Sequence, residues 1–121
     1  MPRREEWVAS LFSTIDAKST RDFLEFLAPD AVFRFGSAPP AEGRAAIGAA
    51  VDGFFASIQS LTHRVLDVWG QSDAIISRGE VSYVRLDGRT VVVPFCDVFE
   101  MRGERIARYE IYMDPTPLRA P

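Results

Sequence analysis

The stretch DAIISRGEVSYVRLDGRTVVVPFCDVFEMRGERIARYEIYM, residues 73–113, decides the fold. Turn chemistry cuts it twice, at Leu86-Asp87-Gly88 and at Arg102-Gly103-Glu104. Asp-Gly between two β-rich runs is the strongest short-range hairpin signal. The pieces left, 73–85, 89–101 and 104–113, are rich in Val, Ile, Tyr and Phe and read as consecutive strands. A fourth strand, 60–69, precedes them across the turn Gly70-Gln71-Ser72-Asp73.

Upstream the period changes. Trp7, Val8, Leu11, Phe12 and Ile15 make one stripe of a helix over 4–17, which Lys18 and Ser19 break. Thr20 is the expected N-cap of a short second helix carrying Phe23, Leu24, Phe26 and Leu27, ended by Pro29-Asp30. Ala31–Phe35 reads as a strand, 36–43 as a Gly/Pro loop, and 44–58 as a third helix with Ile47, Val51, Phe54, Phe55 and Ile58 inward. Helices followed by a run of strands predict an α+β domain over 1–121: three N-terminal helices packed in a curved antiparallel sheet, with 115–121 as a loose tail. A sheet bent around helices leaves a gap at its open end, a natural pocket.

Composition limits what such a domain does. The 121 residues are 47% hydrophobic and 12% aromatic, enough for a core and unlike a disordered chain. Fourteen basic against 17 acidic residues give a net charge of −3, with no basic excess to neutralise nucleic acid. No apolar run approaches the roughly 20 residues that span a bilayer, and no apolar segment follows Arg3-Arg4, so a cytoplasmic chain without a signal peptide or membrane partner is expected. One cysteine and one histidine make neither an intrachain disulfide nor a Cys/His zinc site, so no metal is expected. Phosphate-loop, dinucleotide and G-x-S-x-G motifs are absent from the sequence, and no cofactor is expected.

Alternation along the strands nominates polar site residues. On 89–101 one face carries Val91, Val93, Phe95, Asp97 and Phe99, an apolar row with a single carboxylate. Asp97 is either a proton donor or base in the pocket, or paired with an arginine across the sheet. Cys96 falls on the opposite face, which argues against a thiol nucleophile. On 73–85, Arg78 and Glu80 share a face with Ile76, Ser82 and Val84; they form a solvated outer pair or an inward site. His63 shares a face with Leu61 and Val65, as a structural residue or as a general acid or base.

Four passages carry a family resemblance: Ala28-Pro29-Asp30-Ala31-Val32-Phe33, Gly43-Arg44-Ala45-Ala46-Ile47, Val93-Pro94-Phe95-Cys96-Asp97-Val98-Phe99-Glu100, and Gly103-Glu104-Arg105-Ile106 through Tyr112-Met113-Asp114-Pro115. In this order and spacing they span nearly the whole chain, which resembles the SnoaL-like branch of the nuclear-transport-factor-2-like superfamily, the cystatin-like cone folds. That superfamily holds ketosteroid isomerases, limonene-type epoxide hydrolases, polyketide cyclases and dehydratases, and also non-catalytic transport and assembly domains.

The resemblance implies a cone-shaped fold and places Asp97 where ketosteroid isomerases carry an aspartic acid that donates to a developing oxyanion; that enzyme is a relative, not this protein. It puts the isomerase base near Phe35 and the oxyanion tyrosine near Leu11, which have no proton chemistry, so steroid isomerisation by that route is rejected. It likens an inward Arg78–Glu80 pair to the Arg-x-Asp element of limonene-type hydrolases, whose third carboxylate would fall near Ile111, with Asp97 available from the neighbouring strand. It turns Tyr109, Ile111 and Met113 to the pocket; small-molecule pockets are largely apolar, which adds Trp7, Leu11, Phe35, Phe55 and Phe95 to the expected lining. Arg108, Glu110 and Tyr112 then face outward, as a dimer surface or a solvated face. The function expected is binding of a small apolar molecule. Such a molecule is the substrate of a cofactor-independent isomerase, cyclase or epoxide hydrolase acting on polyketide-, terpenoid- or steroid-like compounds through Asp97, His63, Arg78 and Glu80, or the ligand of a non-catalytic binding or dimerisation module. A catalytic acid in an apolar pocket titrates above the ordinary value of about 3.9; a merely hydrogen-bonded Asp97 titrates below it.

Overall fold

The computed structural model describes residues 3–121. The elements are α1 (Arg4–Asp16), α2 (Thr20–Leu24), β1 (Leu27–Phe35), β2 (Ala41–Glu42), α3 (Arg44–Ala56), β3 (Ile58–Gln71), β4 (Ala74–Arg85), β5 (Thr90–Arg102), β6 (Arg105–Tyr112) and α4 (Thr116–Arg119). One six-stranded sheet has the order β2-β1-β6-β5-β4-β3. It curves around the helices without closing, an α+β cone.

The sheet is mixed, which corrects the all-antiparallel expectation. β3 to β6 form an antiparallel meander, but β1 lies parallel to β6, with Phe33 opposite Tyr109. The connection between them runs through β2, α3 and the strands β3, β4 and β5, long enough to bring β6 alongside in the same direction. A bulge between Val65 and Asp67 on β3 bends the sheet. At that bend Gly79 of β4 faces Val65 so closely that a Cβ would lie 2.0 Å from the Arg64 carbonyl oxygen.

The N-terminal half departs from its predicted boundaries for identifiable reasons. α2 is capped by Ser19, whose Oγ accepts from the Asp22 N–H at 3.3 Å; Thr20 instead donates to Asp52 of α3. α2 stops at Leu24, and β1 begins at Leu27 rather than at Ala31. Pro29, which cannot donate to a ladder, sits exposed at a register shift between Leu27 and Val32. α3 ends at Ala56, so Ile58 opens β3. Gly43, before α3, adopts φ +84°, a conformation that side chains resist.

Trp7, Val8, Leu11 and Phe12 of α1 pack into the core with Phe23, Leu27, Ile47, Val81, Phe99, Ile106 and Tyr109. Each fully buried large side chain contributes roughly 1.5–3 kcal/mol, so this stripe fixes α1 on the sheet. The C-terminal residues are not the loose tail expected. α4 is fastened by Arg85, which donates to the Pro117 carbonyl at 3.1 Å, and Arg89, which donates to that of Pro121 at 3.1 Å, while Leu118 packs against the core. Among the described residues no helix is long and apolar enough to cross a membrane.

Candidate active site

The concave face of the sheet and the helices enclose a cavity of about 340 Å³. Its wall is mainly apolar and rich in aromatic rings, with Phe23, Phe33, Phe35, Phe54, Phe55 and Phe95, joined by Ile111 and Met113. Polar side chains enter at a few points: His63, Tyr83, Asp97 and Tyr109 from the strands, Ser57 from the residue after α3, and Arg119 from the end of α4.

Asp97 owes its place to strand parity. Val93, Phe95, Asp97 and Phe99 alternate inward on β5, and Asp97 is only 2% exposed. Tyr109 donates to its Oδ2 at 3.2 Å; among the described residues Oδ1 has no hydrogen-bond partner, and neither does the buried Oγ of Ser77, directly opposite in register. Burial pushes the Asp97 carboxyl well above the usual carboxylate range, against the weaker opposing effect of the Tyr109 hydrogen bond. Burial also raises Tyr109, with the nearby Asp97 charge adding to it. Tyr83 is raised chiefly by burial, then by Asp97 and Asp16, and its hydroxyl contacts Met113 Sδ at 3.6 Å. No arginine pairs with Asp97 among the described residues, so the cross-sheet ion pair is ruled out there.

His63 is held from behind. Its Nδ1 lies 2.6 Å from Asp16 Oδ1, and its backbone N–H donates to Asp16 Oδ2 at 3.0 Å. Its ring stacks on Phe12 at 4.1 Å and meets the edge of Phe95 at 5.4 Å. A carboxylate only accepts, so Nδ1–H is the donor to Asp16, which leaves Nε2 as the nitrogen for proton exchange. Sequence reading missed Asp16. The signal was there: Asp16 ends α1, where the helix dipole disfavours an anion.

A SnoaL-like domain model matches residues 8–109. The chain belongs to the SnoaL-like domain family. No curated protein matches it by sequence. Among solved structures, an NTF2-like protein of unknown function from Burkholderia pseudomallei superposes with a TM-score of 0.87 at 15% identity, covering 98% of this chain and 95% of the other. TerC, co-crystallised with polyporic acid, gives 0.84 at 16% identity over 96% and 95%. An LEH-like epoxide hydrolase from M. tuberculosis gives 0.78 at 13% identity over 96% and 86%. At these identities the likeness is one of fold.

Within this SnoaL-like domain the nominated residues divide. Asp97, His63, Phe35, Phe55, Phe95, Tyr109, Ile111 and Met113 share the cavity wall. Arg78 and Glu80 do not reach it. They lie on the convex face, Arg78 paired with Asp67 at 2.7 Å and Glu80 with Arg64 at 3.3 Å, all four side chains substantially exposed. The hydrolase-like inward pair is therefore absent. Trp7 and Leu11 are core rather than lining: Trp7 packs edge-on against Phe26 and Phe99, and Leu11 is fully enclosed. Arg108, Glu110 and Tyr112 do face outward. There Arg108 and Tyr112, with Arg34, hold the Glu110 carboxyl down at about 2.

Proposed function

We propose that the cavity binds a small, mainly apolar molecule and that the protein is a cofactor-independent acid–base enzyme acting on it. The observation that carries this is a buried, uncharged-leaning carboxyl, Asp97, in the same aromatic cavity as an imidazole clamped by Asp16. Two titratable groups with opposed environments suit opposed roles. His63 Nε2 accepts a proton from the substrate. Asp97, kept protonated, donates a hydrogen bond to the oxygen on which negative charge develops. Arg78 and Glu80 take no part. The direction of the Asp97 shift favours this reading over a non-catalytic binding module, for which a depressed carboxyl is expected.

Family membership supports a polyketide-, terpenoid- or steroid-like substrate, in the company of an LEH-like epoxide hydrolase and of TerC with its polyporic acid. The test is a thermal-shift screen of lipophilic ketones, aromatic polyketides and terpenoid epoxides, each well then read by mass spectrometry. A stabilising compound that yields a new product mass, with turnover reduced roughly 10²- to 10⁴-fold in Asp97→Asn and in His63→Gln, is the expected result. Stabilisation across the panel with no product overturns the enzymatic half and leaves a ligand-binding module.

We also propose that a second copy of the chain covers the convex sheet face. A row of apolar side chains crosses it in register, Trp69 beside Ile76 beside Val98, with Trp69 49% exposed and Val92 and Tyr112 about as open. Light scattering checks this: a dimer that Trp69→Glu converts to monomer is expected, and a wild-type monomer at all concentrations overturns it.

A further inference from the structure

The acid–base reading leaves one cavity cation unused. Arg119 ends α4 and forms part of the cavity wall together with Ala38, Phe54 and Met113. Its side chain makes no hydrogen bond or ion pair with any described residue. The two arginines that anchor the same turn differ: Arg85 pairs with Asp87 at 3.1 Å and Arg89 with Asp87 at 2.9 Å, while each also donates to a carbonyl of the C-terminal residues. Asp114 further accepts from the Thr116 N–H and hydroxyl at 3.0 and 2.6 Å. The backbone that carries Arg119 is thus tied at both ends, and its guanidinium is left without an acceptor.

An unpaired guanidinium at the edge of an aromatic cavity complements an anion on an apolar body. Its planar fork matches a carboxylate with two parallel N–H donors. Asp97 is not that anion, since among the described residues its hydrogen-bond partner is Tyr109. From this arrangement we infer that Arg119 is a specificity-determining residue that receives a carboxylate on the ligand. The ligand class narrows to apolar, ring-bearing molecules with an acidic group at one end. The acid seats at Arg119 on the C-terminal turn, and the apolar body extends toward His63 and Asp97. This inference rests on the cavity being the ligand site; it does not depend on turnover.

The test uses a matched pair of probes, anthraquinone-2-carboxylate and its uncharged methyl ester, titrated calorimetrically into the full chain and into Arg119→Gln. Wild type is expected to hold the carboxylate ~5- to 20-fold more tightly than the ester, the range of one partly solvated charge-assisted contact, with the preference shrinking as salt is raised. In Arg119→Gln the difference between the probes is expected to vanish. Equal binding of both probes by wild type, or a preference that survives in Arg119→Gln, overturns the role of Arg119 and leaves the cavity reading intact. Binding of neither probe overturns the cavity reading, and this inference with it.

Discussion

Asp16 Oδ1 accepts from His63 Nδ1 at 2.6 Å, and the other oxygen of the same carboxylate accepts the His63 backbone N–H at 3.0 Å. One side chain at the end of α1 therefore sets the tautomer of the imidazole and ties the start of β3 to the helix. The two functions separate experimentally. Nitrogen-15 NMR of wild type is expected to show the ring proton on Nδ1. In Asp16→Ala the proton redistributes between the two nitrogens, and stability falls by about 1–3 kcal/mol, because a largely buried backbone donor loses its acceptor. An unchanged tautomer in the variant would sink the clamp.

Arg78 and Glu80 were attractive in the sequence as a charged pair two residues apart on one strand face. Their partners Asp67 and Arg64 place them on the convex surface, where exposed ion pairs contribute little. In the Trp69→Glu monomer, Arg78→Ala and Glu80→Ala are each expected to change unfolding free energy by no more than about 0.5 kcal/mol. Calorimetric titration of a cavity ligand should give unchanged affinity in both; a tenfold loss in either would return the pair to the site.

What the sequence made legible follows the range of the interactions involved. Alternation on β5 put Asp97 among Val93, Phe95 and Phe99, and that local rule survives in three dimensions because one face of the strand is buried. The Asp87-Gly88 hairpin also contained the answer for Arg78. Pairing outward from Asp87 sets Ser77 opposite Asp97 and Arg78 opposite Cys96, so an inward Asp97 forces Arg78 outward. The helical stripe of α1 identified Trp7 and Leu11 as buried, but burial against core and burial against a cavity look alike in a periodicity. Contacts between distant segments left fainter marks. The parallel pairing of β1 with β6 has no local signature, and the clamp between Asp16 and His63 showed only as an acidic residue at the unfavourable end of a helix.

Gly79 tests the geometry of the bend itself. A Cβ at this position would stand 2.0 Å from the carbonyl oxygen of Arg64 and 3.1 Å from the ring of Phe95. The first of these neighbours is backbone in a paired strand and cannot swing aside. Gly79→Ala is therefore expected to cost about 2–4 kcal/mol, or to be recovered only in aggregates, although alanine is the smallest possible change. Chemical denaturation checks it. A loss below about 0.5 kcal/mol would mean that β3 and β4 stand further apart at the bulge than described.

Asp97 links stability to chemistry through its proton. In the unfolded chain an aspartate loses its proton near pH 3.9, whereas burial holds it on Asp97 to a well higher pH in the folded chain. Between those two values the folded state binds the extra proton, so rising pH lowers stability. The carboxyls held below their usual range, Asp30, Asp87, Asp114 and Glu110, act with the opposite sign, but their effect is nearly complete one unit above their unfolded values, by about pH 5.5. Above that pH Asp97 contributes a downward slope, and comparison with Asp97→Asn isolates it. Urea unfolding from about pH 5.5 to pH 8 is expected to show wild-type stability declining relative to Asp97→Asn, which has no proton to lose and is expected to be the more stable of the two at pH 8. The same substitution removes the proposed proton donor, so the more stable variant should be the inactive one. A wild-type slope equal to that of Asp97→Asn would mean that the carboxyl ionises normally, and the donor role would fall with it.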